Sequence, residues 1–324
     1  MAMCEGYIMS QFVLRRLFWL VPTLLAISLI TFLVMHATPG SPLQPTAANA
    51  NPLPPAAQEN LMRQYGLHRP LHEQYVIFVW KAARLDFGTS YVYRTRQVTD
   101  ILKSTFPVSL HLGAMAMAFA VFVGVPLGIM AAVRRNGFID YVASFVAVLG
   151  VSFPNFVIAI FLIVTVVLLL PNVIGFHIIP RTGGWTGPVD WILPTIALGL
   201  QPLGILARYT RSAMIEVLNQ DFIRTAQAKG LAHHRVVIGH ALKNGLIPPL
   251  TIAGPMFAAI ATGSFFVEAV FRVPGMGRFF VESMLSRDYP MIMAVILLYG
   301  VFLAVMNIFV DVLYGVVDPR IRLS

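Results

Sequence analysis

The chain is poor in charge: Asp, Glu, Lys and Arg make up 11% of its 324 residues. A globular surface in water needs roughly a quarter of the residues charged, so the composition excludes a water-soluble protein. Cysteine is nearly absent. The single Cys4 has no partner for an internal disulfide and leaves no paired-cysteine metal or redox motif. Catalytic signatures are missing as well. No glycine-rich loop ends in Gly-Lys-Ser/Thr, so the chain carries no phosphate cradle of that type, and any energy drawn from ATP is supplied elsewhere. His72-Glu73 lacks the second histidine of HExxH, and there is no G-x-S-x-G turn, which removes the motif support for metalloprotease or serine-hydrolase chemistry. His233 and His234 point about 100° apart on a helix, a poor chelate. No metal or catalytic residue is assigned.

What remains is apolar and helical. Hydrophobic residues make up 57% of the chain and the mean hydropathy is +0.76, which predicts an all-α, polytopic membrane protein. Arg15 and Arg16 precede an uncharged run from Leu17, longer than the ~7–15 apolar residues of a signal core and followed by Thr-Pro-Gly-Ser-Pro rather than a cleavage site. It is read as a retained first helix. Further uncharged spans run over Ser104–Val133, Tyr141 to about Leu170, Trp191 to about Ala207, Leu246–Val267 and Met291 to about Val310. Pro154 is expected to kink the third near Ser152 and Asn155. Such a kink either lines a path or is a bend repaired by neighbours. The fourth reads as short and broken by Pro194 and Gln201-Pro202. Small residues from Gly254 to Ser264 let the fifth approach other helices closely.

Residues 36–103 differ in texture. They are Pro-rich at first, then amphipathic, with Leu71, Tyr75, Phe78 and Val79 at helical spacing for packing on the bundle or the membrane surface. This is read as an extracytoplasmic insert. The net charge of +9 implies no nucleic-acid partner, because basic residues in a membrane protein first serve to hold loops in the cytoplasm. Arg15, Arg16, Arg134, Arg135, Arg208, Arg211, Arg224, Lys229, Arg235, Lys243, Arg320 and Arg322 fall on one side of a six-span chain, which places both termini in the cytoplasm. Arg272, Arg278 and Arg287 vote the other way, with Glu282 and Asp288 near enough in sequence to pair with some of them. Polar groups inside spans need partners or water. Asn155, Gln201, Thr262 and Asn307 are therefore candidate pathway-lining residues, with helix-to-helix hydrogen bonding the alternative. Glu268 and Asp311 are placed near opposite membrane boundaries, where a carboxylate stays hydrated.

The most informative stretch is 219–249, NQDFIRTAQAKGLAHHRVVIGHALKNGLIPP. Asn219 is read as the cap of a short helix, with Asp221 at the positive end of its dipole. Gly230 ends that helix in the left-handed conformation. A second piece closes at Asn244-Gly245, and Pro248 and Pro249 begin the next span. Phe222 and Ile223 are expected to form an apolar knob, with Ala226 and Ala228 exposing backbone for close approach. Composition alone equally allows a solvated connector.

DFIRTAQAKGL followed by HALKNGLIPP resembles the cytoplasmic coupling loop of ABC importer permeases, in the form carried by the dipeptide, oligopeptide and nickel branch. RQYGLHRPLHEQY, LDFGTSY, VFRVPGMG, SRDYP and VDPRIR resemble the same family, so the likeness extends over most of the chain. The general importer loop begins Glu-Ala-Ala, whereas Arg224, Thr225 and Ala226 stand here, the usual form of the peptide branch. The resemblance implies one permease domain over 1–324, with six membrane helices, the insert at 36–103 and a coupling loop at 213–245 between helices four and five. It implies a multi-pass protein of a bacterial or archaeal cell membrane. Expected partners are a second homologous permease subunit, two ATP-binding subunits that carry ATP and Mg, an extracytoplasmic solute-binding protein and membrane lipid. Asp221, Phe222, Arg224, Thr225, Ala226, Ala228, Lys229 and Gly230 are the expected ATPase-coupling residues. Peptides are the expected cargo. Nickel chelates or oligosaccharides remain open within the family, and an ion-coupled secondary carrier is the rival outside it, although the spans hold few ionisable groups and no repeat is evident.

Overall fold

The computed structural model describes residues 2–40, 54–175, 179 and 183–317. Most of the Pro-rich stretch and the basic tail with Arg320 and Arg322 lie outside the described residues. Those described form helices: α1 (Ala2–Ala37), α2 (Pro55–Gln64), α3 (Leu71–Ala82), α4 (Val98–Val133), α5 (Phe138–Ser152), α6 (Asn155–Ile174), α7 (Pro188–Leu218), α8 (Asp221–Ala228), α9 (His233–Gly245), α10 (Ile247–Ala261), α11 (Phe265–Val270), α12 (Gly277–Ser286) and α13 (Tyr289–Val317). Five stretches are long and apolar enough to cross a bilayer: Leu14–Ala37 of α1, α4, α6, α7 and Tyr289–Leu313 of α13. Taken together, α9 and α10 pass the same test across a 50° bend, and they count as a sixth if the bent pair is one span.

The bundle is built along α7. Its 31 residues extend about 46 Å at 1.5 Å per residue, and α4, α5, α6 and α10 all pack on it. The expected break at Pro194 and Pro202 does not occur. Each proline removes one amide donor, but both lie buried in a helix packed against neighbours on several sides, and in lipid such packing preserves helices that water would unravel.

The reverse holds for the third traverse, where a single kinked span was the expectation. Phe153 is extended (φ −104°, ψ 134°) and Pro154 stands as the N-cap of α6. Proline pushes its predecessor out of the helical region, so the chain breaks into two helices.

Close approach explains two of the glycines. A Cβ on Gly150 would lie 2.4 Å from the Leu200 carbonyl oxygen, and one on Gly204 2.8 Å from that of Ala147. Here α5 and α7 meet backbone to backbone, the contact that small residues permit in lipid.

At one end of the bundle, α3 lies against α1 and α13. Tyr75 and Phe78 pack on Phe32, Met35, Tyr289, Ile292 and Met293, and the Tyr75 hydroxyl donates to the Leu25 carbonyl at 3.0 Å. Leu71, Val76 and Trp80 remain exposed. The insert therefore both packs on the bundle and presents an apolar outer face. At the opposite end, Arg16 of α1 pairs with Asp311 of α13 at 2.9 Å, so this boundary carboxylate is held by a charge.

Candidate functional site

The segment after α7 forms a compact lug. Gln220, not Asn219, is the N-cap residue of α8, and it makes no side-chain capping bond. Asn219 closes α7 instead, its amide nitrogen donating to the Ile215 carbonyl at 2.9 Å. The preceding helix has free carbonyls at its end, and they take the asparagine before the next helix begins. Gly230 has φ +77°. The Gly230 amide bonds Gln227 O at 2.9 Å and the Leu231 amide bonds Ala226 O at 3.4 Å, the paired closure of a Schellman motif. Pro248 and Pro249 stand in the first turn of α10, as expected.

Two residues of α8 face inward. Ile223 and Ala226 are buried with Ala132, Met214, Val217, Val236, Val237 and Ala241. Ile223 thus belongs to the core and not to an exposed knob, and Ala226 does not expose backbone. At 100° per residue the stripe opposite them is Asp221, Arg224, Thr225 and Ala228, flanked by Phe222 and Lys229. All six are exposed. Asp221 and Arg224 form a loose pair at 3.4 Å, with side chains 96% and 72% exposed, so both charges remain available to a partner. The Thr225 hydroxyl donates to the Asp221 carbonyl at 2.9 Å.

The lug is continuous with the rod. Met214 and Val217 belong to α7 and Ala132 to the end of α4, so one buried cluster joins α8 to both long helices. Nearby, Arg211 of α7 grips Asp140 of α5 through two bonds, Nε to Oδ1 at 2.5 Å and Nη2 to Oδ2 at 2.8 Å. Asp140 also accepts from the Asn136 amide at 2.9 Å, which ties the Arg134–Gly137 turn to the same point. Sequence reasoning counted Arg211 only as an orienting charge; its partner lies 71 positions away.

At the far end, Glu268 is 1% exposed and not hydrated as expected. It accepts from Ser109 of α4 at 2.7 Å, from the Gly277 amide at 2.8 Å and from the Ser264 amide at 3.3 Å. One carboxylate therefore fastens α11 and the Pro274–Gly277 turn onto α4. Replacing it with leucine leaves those donors without an acceptor, at about 1–3 kcal/mol for a buried group. Glu268→Leu is expected to lower the thermal midpoint of the purified protein by several degrees, and Glu268→Gln by less, read by tryptophan fluorescence.

Asp288 plays the same part for the insert. It accepts from Ser90 Oγ, from the Tyr91 amide at 3.1 Å and from the Met291 amide at 3.4 Å, and none of the nearby arginines pairs with it among the described residues. Burial first, and the Asp288 charge second, push the Tyr91 phenol up from its ordinary value. Arg287 bonds the Pro39 carbonyl at 2.8 Å, and Arg278 approaches Glu282 only to 4.0 Å.

The candidate pathway residues do not assemble by direct bonding among the described residues. Asn155 begins α6 with its Oδ1 buried and unpartnered. Thr262 donates to its own helix at Ala258, 3.1 Å, Gln201 is exposed and Asn307 half-buried. No group of three or more metal-ligating side chains occurs among the described residues.

The sequence pattern of the family described as binding-protein-dependent transport system inner membrane component matches residues 124–323, and its N-terminal companion matches residues 9–113. The dipeptide transport system permease protein DppB of Bacillus subtilis (strain 168) is 43% identical over 97% of this chain and 99% of its own. The oligopeptide transport system permease protein OppB of Escherichia coli (strain K12) is 40% identical over 97% of this chain and 100% of its own. Among solved structures, an inward-facing form of the MetNI methionine ABC transporter superposes with a TM-score of 0.52 at 16% identity, covering 67% of this chain and 96% of that one; this speaks to the fold alone. A bundle of apolar helices around one long rod, with a short amphipathic lug at its end, and family patterns matching most of its length lead to one conclusion: the chain belongs to the inner membrane components of binding-protein-dependent transport systems.

Proposed function

We propose that this chain is one of two membrane subunits of an ATP-driven importer for di- or oligopeptides, released into its path by an extracytoplasmic binding protein. The names of the relatives support the cargo class. The two-faced build of α8 carries the mechanism: Ile223 and Ala226 lock it to the bundle while Asp221, Arg224, Thr225 and Ala228 stay exposed. In this reading α8 is a cytoplasmic coupling helix seated on one of two ATP-hydrolysing subunits, which hold the ATP and Mg. Closure of the ATPases pushes the lug, and the push travels along α7 and α4 to the far end. Both termini lie with α8 in the cytoplasm, and the insert with Glu268 and Asp288 lies outside. Chain 1–324 acts as a single domain. Asn155, with its buried unpartnered oxygen, is the pathway candidate this reading favours.

Reconstitution tests it. The subunit, with its partner permease, ATPases and binding protein in proteoliposomes, is expected to take up labelled di- or oligopeptide only with ATP. Uptake of nickel chelates or oligosaccharides in place of peptide shifts the cargo within the family, and uptake driven by an ion gradient alone overturns the ATP-driven reading.

A further inference from the structure

At the insert end, a groove of about 950 Å³ opens between α1, α3, α4 and α13. Its volume falls within the roughly 300–1,000 Å³ of small-ligand sites. The walls are apolar: Leu25 of α1, Phe78 of α3, Phe106 of α4 and Leu298 of α13 contribute. All but Phe78 belong to helices long and apolar enough to cross a membrane, and an apolar groove between such helices suits hydrocarbon better than water.

Two cations stand in the same lining, Arg84 just past α3 and Lys103 in the second turn of α4. Neither makes an ion pair among the described residues. Arg84 lies 4.4 Å over the Trp80 ring, and Trp80 is 62% exposed, an aromatic-cation pair of the kind that marks a membrane interface. An apolar slot with unneutralised cations at an interfacial helix matches an amphiphile with an acyl chain and an anionic head. We propose that the groove binds an anionic phospholipid of the leaflet on the insert side, one acyl chain lying along Leu25, Phe106 and Leu298 and the phosphate meeting Lys103 and Arg84. Lipid here fills the gap between α1 and α4 that their side chains leave open. It also supports α3 from below, so the site lies apart from the lug and does not depend on the cargo.

The test uses the intact complex in nanodiscs of mixed phosphatidylglycerol and phosphatidylcholine, extracted into mild detergent and weighed by native mass spectrometry. The wild type is expected to retain phosphatidylglycerol in preference to phosphatidylcholine. Retention falls about fivefold for each charge removed in Lys103→Gln and Arg84→Gln. Leu298→Trp, which fills the slot without touching the charges, is expected to expel the lipid from a complex that still elutes as one species. Equal retention of both lipids, or phosphatidylglycerol retention unmoved by all three variants, overturns the proposal, as does a partner chain's helix seated in the groove of the assembled complex.

Discussion

Ala228→Trp is expected to abolish ATP-driven uptake while leaving the membrane subunit as stable as before, whereas Ala226→Trp two positions earlier is expected to destabilise the subunit itself. Ala228 is exposed in the centre of the stripe that also presents Asp221, Arg224 and Thr225. In the proposed reading a small side chain there admits the backbone of the ATPase, and an indole would block it. Losing a central contact of an interface costs about 2–4 kcal/mol, a weakening of about 30- to 1,000-fold in ATPase docking. Ala226 is 6% exposed between Ile223 and the end of α7, so an indole there overpacks the lug at about 1–3 kcal/mol or more. Affinity of the purified ATPase for each variant, measured beside its thermal midpoint, separates the outcomes. A stable Ala228→Trp protein that still couples ATP hydrolysis to uptake refutes the assignment of that face.

The second large effect is expected at the junction of α5 and α7. Arg211→Leu removes both guanidinium bonds from Asp140, which is 4% exposed and keeps, among the described residues, only the Asn136 amide as a donor. Stranding a buried carboxylate costs about 3–5 kcal/mol. Because the Arg211 side chain is 31% exposed, water tempers this, and about 2–4 kcal/mol is the expected loss. Replacing both residues with leucine is expected to recover a large part of it, since the uncompensated charge goes with its partner. A double-mutant cycle in detergent, followed by thermal unfolding, measures the coupling. A cycle that closes without interaction energy shows that the pair orients loops and does no more.

Both predictions act on features that a linear reading reaches only in part. The apolar runs, the turn at Gly230 and the paired prolines opening α10 are local matters, settled within a few residues by burial of the backbone, left-handed geometry and the missing amide of proline. The phase of α8 is different. Eight residues with Phe222, Ile223, Ala226 and Ala228 among them offer more than one apolar side, and which of them turns inward depends on where α7 and α4 stand. Asn219 illustrates the same competition, since it sits between two helix ends and donates to the Ile215 carbonyl of α7 instead of accepting from the free amides of α8.

The amino-acid order alone determined that this is a helical membrane protein, where its apolar segments run, and that a basic loop with a turn at Gly230 interrupts them after the fourth. Only the tertiary structure decided that α7 stays whole through two prolines, that Glu268 is dry and that Arg211 holds Asp140. The reason is distance along the chain: the groups that satisfy a buried charge or shield a freed carbonyl lie tens to hundreds of residues away, and nothing short of folding brings them together.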